Sequence, residues 1–308
     1  MPPVKYQIRS SGTDSPHVAQ DARRKHSAGM NATAERIPLL HDVAVTRRVD
    51  YGHGYFELYL DAPELAQHMQ AGQFFNIRVR NELYPLLRRP FSSFDLLKDV
   101  RGRPTGVSIL GHVVGQGTRM LAGMNEGDRI HLNGPLGHAF ELPENPDTRI
   151  IMVGGGIGLA PFLHAIRQWG GGEEKRDLVL LAGGRSQRDL GFMKRFANLG
   201  ANVLIASEDG SVGVKGRVTV LLEAELNALK GKPAMVLTCG PWAMMDAVAQ
   251  ICITAQVPSF ASLESIMACG YGVCNGCVAK LKADNEHGFR YAKTCVEGTV
   301  MDCAKLVW

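Results

Sequence analysis

The chain lacks any uninterrupted apolar run near the roughly 20 residues needed to cross a bilayer, so membrane attachment would have to come through a partner. Its first thirty residues hold no apolar core followed by a cleavage site, the mark of a secretory leader. Charge of one sign is also scarce: 34 Lys and Arg against 30 Asp and Glu leave a formal net charge of +4 over 308 residues. That is too mild for a nucleic-acid footprint. The sequence offers no local His and carboxylate constellation of the kind general acid–base catalysis uses. Cysteine is sparse and odd in number, seven in all, which argues against a disulfide framework and for a reducing, cytoplasmic compartment. A charged fraction of 21% and a hydrophobic fraction of 45% are ordinary for a soluble protein, and the length allows two or three domains.

Against this plain background one stretch stands out: Cys269-Gly270-Tyr271-Gly272-Val273-Cys274-Asn275-Gly276-Cys277, with Cys295 further on. Four residues separate the first two cysteines and two separate the next pair, the plant-type spacing for a [2Fe–2S] cluster with a distant fourth thiolate. Gly270, Gly272 and Gly276 remove side chains that would keep backbone N–H groups away from the sulfurs. Structural zinc is the rival reading, but it favours two close pairs of ligands. Buried free cysteines would not crowd three into nine residues among glycines.

The chain before this loop changes texture twice. Residues 1–34 are polar and poorly periodic and read as an unpacked tail. From Val43 the polarity period becomes two, through 55–60, 73–80, 105–114 and 129–132. Short antiparallel strands at this spacing predict a closed barrel of about six strands over residues 35–143, closure removing the exposed edges. Within it lie Arg88-Arg89-Pro90-Phe91-Ser92 and Gly115-Gln116-Gly117-Thr118, the latter opening a helical run over 119–124. Together they suggest a nucleotide diphosphate site. Thr118 caps free N–H groups, the glycines let a phosphate approach, and Arg89 adds a forked cation.

Near Glu144 strands and helices begin to alternate, predicting a parallel sheet over 144–256. An apolar strand at 149–153 runs into Gly154-Gly155-Gly156-Ile157-Gly158-Leu159-Ala160-Pro161 and a helix at 162–169, where a dinucleotide fits. The spacing departs from the standard fingerprint, and Pro161 sits in the first helical turn, which tolerates it. Later strands end at Gly183-Gly184-Arg185-Ser186, at Ser207-Glu208-Asp209-Gly210-Ser211 and at Cys239-Gly240-Pro241. Functional loops belong at such C-terminal strand ends. Glu208 or Asp209 is suited to accept hydrogen bonds from ribose hydroxyls and to repel a 2′-phosphate, favouring NADH over NADPH. Cys239, at a strand tip, is a candidate neighbour of a reacting ring. Residues 257–308 form the cluster region.

Arg89-Pro90-Phe91-Ser92 with Gly117-Thr118, then Gly154 through Pro161 with Cys239-Gly240-Pro241, then the cysteine loop, make up an order that resembles the ferredoxin-reductase flavoprotein superfamily. Within it the chain is similar, over roughly residues 37–308, to the electron-transfer subunits of NAD-dependent dihydroorotate dehydrogenase. Ser262-Leu263-Glu264 ahead of Met267-Ala268-Cys269-Gly270, and Glu208-Asp209-Gly210-Ser211 ahead of Lys215-Gly216, strengthen the likeness. The resemblance implies FAD on the barrel, held by Arg89, Pro90, Phe91, Ser92, Leu110, Gly111, His112, Gly117 and Thr118. It implies NAD against Gly154, Gly156, Gly158, Pro161, Glu208, Asp209, Gly240 and Pro241. Cluster ligation by Cys269, Cys274, Cys277 and Cys295 carries over without a gap. Phe91 and His112 depart from the usual pattern of that family.

On this resemblance Ser92 tunes the flavin by a hydrogen bond and Cys239 sits beside the nicotinamide. Electrons enter singly at the cluster from a partner and leave as hydride to NAD. The implied partner is an FMN-containing dihydroorotate dehydrogenase chain, joined in a heterotetramer that serves pyrimidine synthesis. The same modules also serve NAD-linked hydrogenases, ferredoxin-linked transhydrogenases and oxygenase reductases. A reading of another class is a redox sensor that binds flavin and cluster without turnover.

Overall fold

The computed structural model describes residues 40–79, 85–170 and 176–308. The tail expected at 1–34 and the final residue of the strand expected over 73–80 lie outside the described residues. The first sheet is built by β1 (Leu40–Gly52), β2 (Tyr55–Asp61), β3 (Phe74–Arg78), β4 (Arg89–Ser92), β5 (Asp95–Lys98), β6 (Pro104–His112) and β7 (Arg129–Leu136). Two short helices, α1 (Pro63–His68) and α2 (Gln116–Ala122), lie between strands. The order is β4-β3-β7-β1-β2-β6-β5, and the pairings are antiparallel.

Seven strands pair, where the spacing suggested about six, because the Arg89–Ser92 string is itself a strand against β3. The hydrogen-bonded order has two ends, β4 and β5, although β4 curls back beside β6. Alternating side chains such as Val45, Leu58, Phe75, Ile109 and Leu132 fill the concave side as one apolar cluster.

The second sheet carries β8 (Arg149–Gly155), β9 (Leu178–Gly184), β10 (Asn202–Ser207), β11 (Val214–Lys215), β12 (Ala234–Cys239), β13 (Ser259–Ser262) and β16 (Val300–Asp302). Its helices are α3 (Ala160–Trp169), α4 (Val218–Ala228) and α5 (Trp242–Thr254). The order is β11-β10-β9-β8-β12-β13-β16, parallel except for β16, which runs antiparallel to β13. Ile150, Ile151, Met152 and Val153 of β8 are all fully buried. That unbroken run is what a strand covered on both faces requires. Ile150 and Met152 pack toward α3, Ile151 and Val153 toward α4 and α5.

The sheet does not stop at residue 256. β13 pairs with β12, and β16 then adds to β13, so the chain on either side of the cysteine loop is sewn into the parallel sheet. A hairpin, β14 (Val278–Lys282) with β15 (Phe289–Lys293), and the single turn α6 (Thr294–Glu297) lie between the cysteine loop and β16. The described residues form one compact unit. No helix among the described residues is long and apolar enough to cross a membrane.

The two large sheets meet along a mixed joint. Tyr55 and Phe94 of the first pack with Phe192 and Phe196 of the second at ring separations of 5.4–6.5 Å, arrangements worth about 0.5–1.5 kcal/mol each beyond their area. Beside them Arg195 reaches Glu57 at 3.1 Å and Asp95 at 2.7 Å. Arg167 closes on Asp95 at 2.9 Å, and the Tyr51 hydroxyl donates to Glu57 at 2.5 Å. Burial pushes the Asp95 carboxyl above the usual carboxylate range, although both arginines pull the other way.

Candidate functional site

The loops at the C-terminal ends of the parallel strands face the first sheet, and two cavities open there. One, of about 590 Å³, is lined by Arg89, Pro90, Phe91, Ser92, Leu110, His112 and Thr118, and on the far side by Ser262 through Met267. Seven residues expected at a flavin therefore meet in one cavity. Gly111 is turned away from it, because a Cβ there would meet the Phe56 ring at 2.3 Å. Gly117 lies under the Arg89 guanidinium, whose Nε would be 2.3 Å from a Cβ at that position. Only glycine lets that cation lie against the start of α2. The Thr118 hydroxyl accepts from the Val114 and Gly115 N–H groups at 3.0 and 3.2 Å, holding the turn that leads in. Arg89 also donates to the Leu87 carbonyl.

The second cavity, of about 790 Å³, is lined by Gly155, Gly156, Gly183, Gly184, Arg185, Glu208, Gly240 and Pro241, among others. Gly154, Gly158 and Pro161 stand behind this wall. A Cβ on Gly158 would come within 2.4 Å of the Cys239 carbonyl, so its smallness serves the close approach of the turn to β12. Asp209 is absent from the lining: its Oδ1 accepts from the Ser211 N–H and hydroxyl at 2.9 and 2.7 Å. Glu208 is the acid that faces the cavity. Arg185 is gripped by Asp189 through two bonds of 3.0 and 3.1 Å.

Cys239 is buried and does not line either cavity. Burial drives its thiol pKa well up and the nearby Glu264 carboxylate adds to this, offset in part by a hydrogen bond with Ser262. Two groups given no site role from the sequence, Glu264 and Tyr55, share with His112 the place where the cavities meet. Glu264 borders both, open to their space yet surrounded by protein, and that enclosure raises its carboxyl pKa. Tyr55 stacks on His112 at 4.2 Å and 7°, making a flat partition between the cavities. The pair was legible only through the register, which sets Tyr55 opposite His112. A further cavity of about 860 Å³ lies at the opposite end of the parallel strands, bordered by Thr148, Ala234 and Pro258, and among the described residues no glycine-rich loop of the kind that receives phosphates lines it.

The cysteine loop stands behind the first cavity. Cys269 and Cys274 are in hydrogen-bond contact through their thiols, as are Cys277 and Cys295, and the Cys269 charge is felt at Cys295. Burial raises the Cys269 thiol, but N–H groups of Cys274, Tyr271 and Val273 aimed at its sulfur outweigh that and bring it down to about 6. Burial, then the neighbouring Cys277, pushes Cys295 up to about 12. Four thiols with N–H donors around them fit an iron–sulfur cluster by donor chemistry. No three His, Cys, Asp or Glu side chains among the described residues close on a single-metal site, whereas a two-iron cluster spreads four thiolates over two metals. Gly272, at φ +89°, lies so close to α6 that a Cβ would meet Val296 at 2.6 Å.

Phe74 and Met267 border the first cavity and also pack with Cys277 and Cys295 in one apolar cluster. One layer of side chains thus separates cavity from inner thiols. Cys274 instead faces solvent, beside the exposed Tyr271 and Val273. The other two cysteines, Cys252 and Cys303, are buried and stand apart from the loop's thiols.

This arrangement of sheets and cavities defines a ferredoxin-reductase type of oxidoreductase fold. The chain superposes with a TM-score of 0.71 on a chain of the NADH-dependent reduced ferredoxin-NADP oxidoreductase, at 23% identity, covering 86% of this chain and 90% of that one. On the FAD- and NADP-bound ferredoxin NADP+ reductase of Neisseria gonorrhoeae the TM-score is 0.58 at 20% identity, covering 71% and 92%. Residues 152–250 match the oxidoreductase NAD-binding domain, and residues 264–307 match the iron–sulfur cluster binding domain of dihydroorotate dehydrogenase B. The chain is 35% identical over 255 residues to the dihydroorotate dehydrogenase B (NAD(+)) electron transfer subunit of Desulforamulus reducens, covering 82% of this chain and 92% of the relative. It is 36% identical over 229 residues to that of Caldanaerobacter subterraneus subsp. tengcongensis, covering 74% and 83%. The chain belongs to the family of dihydroorotate dehydrogenase B electron transfer subunits.

Proposed function

We propose that this chain is an NAD-linked iron–sulfur flavoprotein that carries electrons from a catalytic dehydrogenase subunit to NAD+, using FAD and a [2Fe–2S] cluster. The observation that carries the reading is the stacking of three places in one line. A glycine-walled dinucleotide cavity meets an arginine-bearing cavity, and that cavity backs onto four gathered thiols through Phe74 and Met267. Nicotinamide takes two electrons as hydride and a cluster takes one, so FAD, which handles both, supplies the conversion when bound.

We assign the flavin to 35–143, NAD to 144–256 and the cluster to 257–308. Arg89, with Gly117 beneath it, is to neutralise the flavin diphosphate. Ser92, Pro90 and Phe91 line the remainder of that cavity, and Tyr55 with His112 separates it from the dinucleotide side. Cys269, Cys274, Cys277 and Cys295 are to hold the cluster, the buried pair turned toward the flavin cavity and Cys274 toward a partner. Thiols this close yet unpaired belong in a reducing cytoplasm.

For the partner we infer an FMN-containing dihydroorotate dehydrogenase chain in a heterotetramer, which makes the pathway pyrimidine synthesis. The exposed Ile266, Tyr271 and Val273 around the loop supply an apolar surface of the kind that marks a protein contact. Purified anaerobically, the chain is expected to carry FAD, iron and sulfide, and with dihydroorotate and the candidate partner to produce NADH. Colourless protein without iron or flavin overturns the cofactor assignment. NADH formation that responds to another donor and never to dihydroorotate overturns the partner.

A further inference from the structure

The segment between β13 and the cysteine loop does two things at once. Its residues Ser262 to Met267 wall the flavin-type cavity, and one of them is tied through Thr294 to the backbone of Cys277. The Ser265 and Thr294 hydroxyls lie 2.7 Å apart. Thr294 Oγ1 donates to the Cys277 carbonyl at 2.9 Å, and the Thr294 backbone N–H donates to the same oxygen at 2.8 Å. A hydroxyl has one proton to give. With the Thr294 proton spent on Cys277, the short contact with Ser265 resolves in one direction, Ser265 donating and Thr294 accepting. Thr294 is 1% exposed, so water cannot replace either bond and leaving one unmade is costly.

The two ends of this chain of bonds are the two buried ligands. Cys277 carries the carbonyl that receives both Thr294 bonds, and Cys295 is the next residue after Thr294. Cys277 and Cys295 are far apart in sequence, on opposite sides of the β14–β15 hairpin, so their spacing is not set by the loop's own glycines. The register of the hairpin, Val278 opposite Lys293, fixes it coarsely. The hydroxyl bond adds a second tie, from the residue before Cys295 to the backbone carbonyl of Cys277.

We propose that Thr294 and Ser265 are a positioning pair for the inner half of the cluster. They hold Cys277 and Cys295 at the cluster's span and tie that span to the wall of the flavin cavity. The proposal rests on the cluster and flavin assignments above. Neither residue is among the four thiolate ligands, and Thr294 lines neither of the two cavities described above. Their action runs through the two cysteines, as outer partners of metal ligands act by orientation.

The test is to prepare wild type, T294V, T294S and S265A anaerobically, then to measure FAD content, iron and sulfide content, the rate of iron loss to a chelator, and the electron paramagnetic resonance spectrum of the reduced cluster. T294V keeps the shape of threonine and removes its hydroxyl. It is expected to bind FAD as wild type does, to lose iron about 10-fold faster, in line with removing an outer partner of a metal ligand, and to show a shifted spectrum. T294S, which keeps the hydroxyl, is expected to restore both, and S265A to shift them in the same direction by less. Wild-type iron retention and spectrum in T294V overturn the proposal, as does a T294S protein that behaves like T294V. If T294V also loses FAD, S265A decides, because an unchanged spectrum there overturns the pair. Wild-type protein without iron defeats the cluster assignment itself, a different result from any of these.

Discussion

The joint between the two sheets and the region around the cysteines hold together by different means. At the joint, fully buried aromatic rings flank an Arg195–Glu57–Asp95 ion cluster whose acids are almost wholly enclosed. Around the thiols the buried apolar set shrinks to Phe74, Leu136, Met267 and two of the cysteines. The first can hold its geometry from side chains alone. The second has too little apolar surface for that, and its order depends on the backbone pairing of β13 with β16, a few hydroxyl bonds and whatever the thiolates bind. Metal binding in such a place is part of folding.

The sharpest way to break this contrast is to remove one ligand. Cys295→Ser preserves size and withdraws a thiolate, so the protein is expected to lose its cluster, and with it all partner-dependent NADH formation. Flavin content and NADH-driven reduction of an artificial two-electron acceptor are expected to stay near wild type, since the joint and both cavities do not need Cys295. Loss of flavin together with iron would erase the distinction between the two regions.

Next in size is the joint itself. Arg195→Met leaves Glu57, 0% exposed at its side chain, and Asp95, at 5%, without their shared cation. Removing one partner of a buried ion cluster costs about 3–5 kcal/mol. Chemical denaturation should register that loss, with iron retention per folded molecule unchanged. A cost below about 1 kcal/mol, the range of a surface pair, means the aromatic rings alone carry the joint.

A third probe acts on the apolar side of the same joint. His164 of α3 is 1% exposed, and neither ring nitrogen has a hydrogen-bond partner among the described residues. Burial, helped by the charge of Lys98, lowers its pKa to about 4. The folded state therefore keeps the ring neutral while the unfolded chain takes up a proton near pH 6.5. Stability from this group is complete above pH 6.5 and is lost as pH falls toward 4, by about 3 kcal/mol at the full shift. Melting temperatures of wild type should fall over that window beyond those of His164→Leu. Parallel curves for the two proteins would mean that the ring finds a partner.

How far the sequence reveals all this follows from how far apart the cooperating residues stand. Three of the four thiols lie within nine residues, so their spacing alone pointed to a cluster. Arg89 through Ser92 likewise arrive in the flavin-type cavity as one strand. Glu57 and Arg195 are separated by 138 positions, and no local pattern joins them. Tyr55 and His112 become neighbours only through the β2–β6 register. The wall made by Ser262 to Met267 was visible as a string but not as a wall, because its role depends on β13 entering the parallel sheet instead of beginning a separate domain. Gly111, Gly158 and Cys239 show the opposite limit. Their motifs are local and legible, but packing turns them away from the cavity faces.

The smallest expected effect separates two adjacent acids that the sequence left equal. Asp209 spends its Oδ1 on Ser211, whereas Glu208 faces the second cavity, proposed above to take the dinucleotide, together with Arg185 and Arg217. An acid at such a strand end accepts from ribose hydroxyls and repels a 2′-phosphate. Arg185, the cation that would welcome that phosphate, is held by Asp189. Glu208→Gln keeps hydrogen bonding and removes the repulsion, so the expected preference for NADH over NADPH in kcat/KM should narrow by about tenfold, or ~1.4 kcal/mol. Asp209→Asn should leave the ratio alone and loosen the 207–211 turn. If Asp209→Asn shifts the ratio as much as Glu208→Gln does, the cavity reads charge from the whole turn and not from the one acid that lines it.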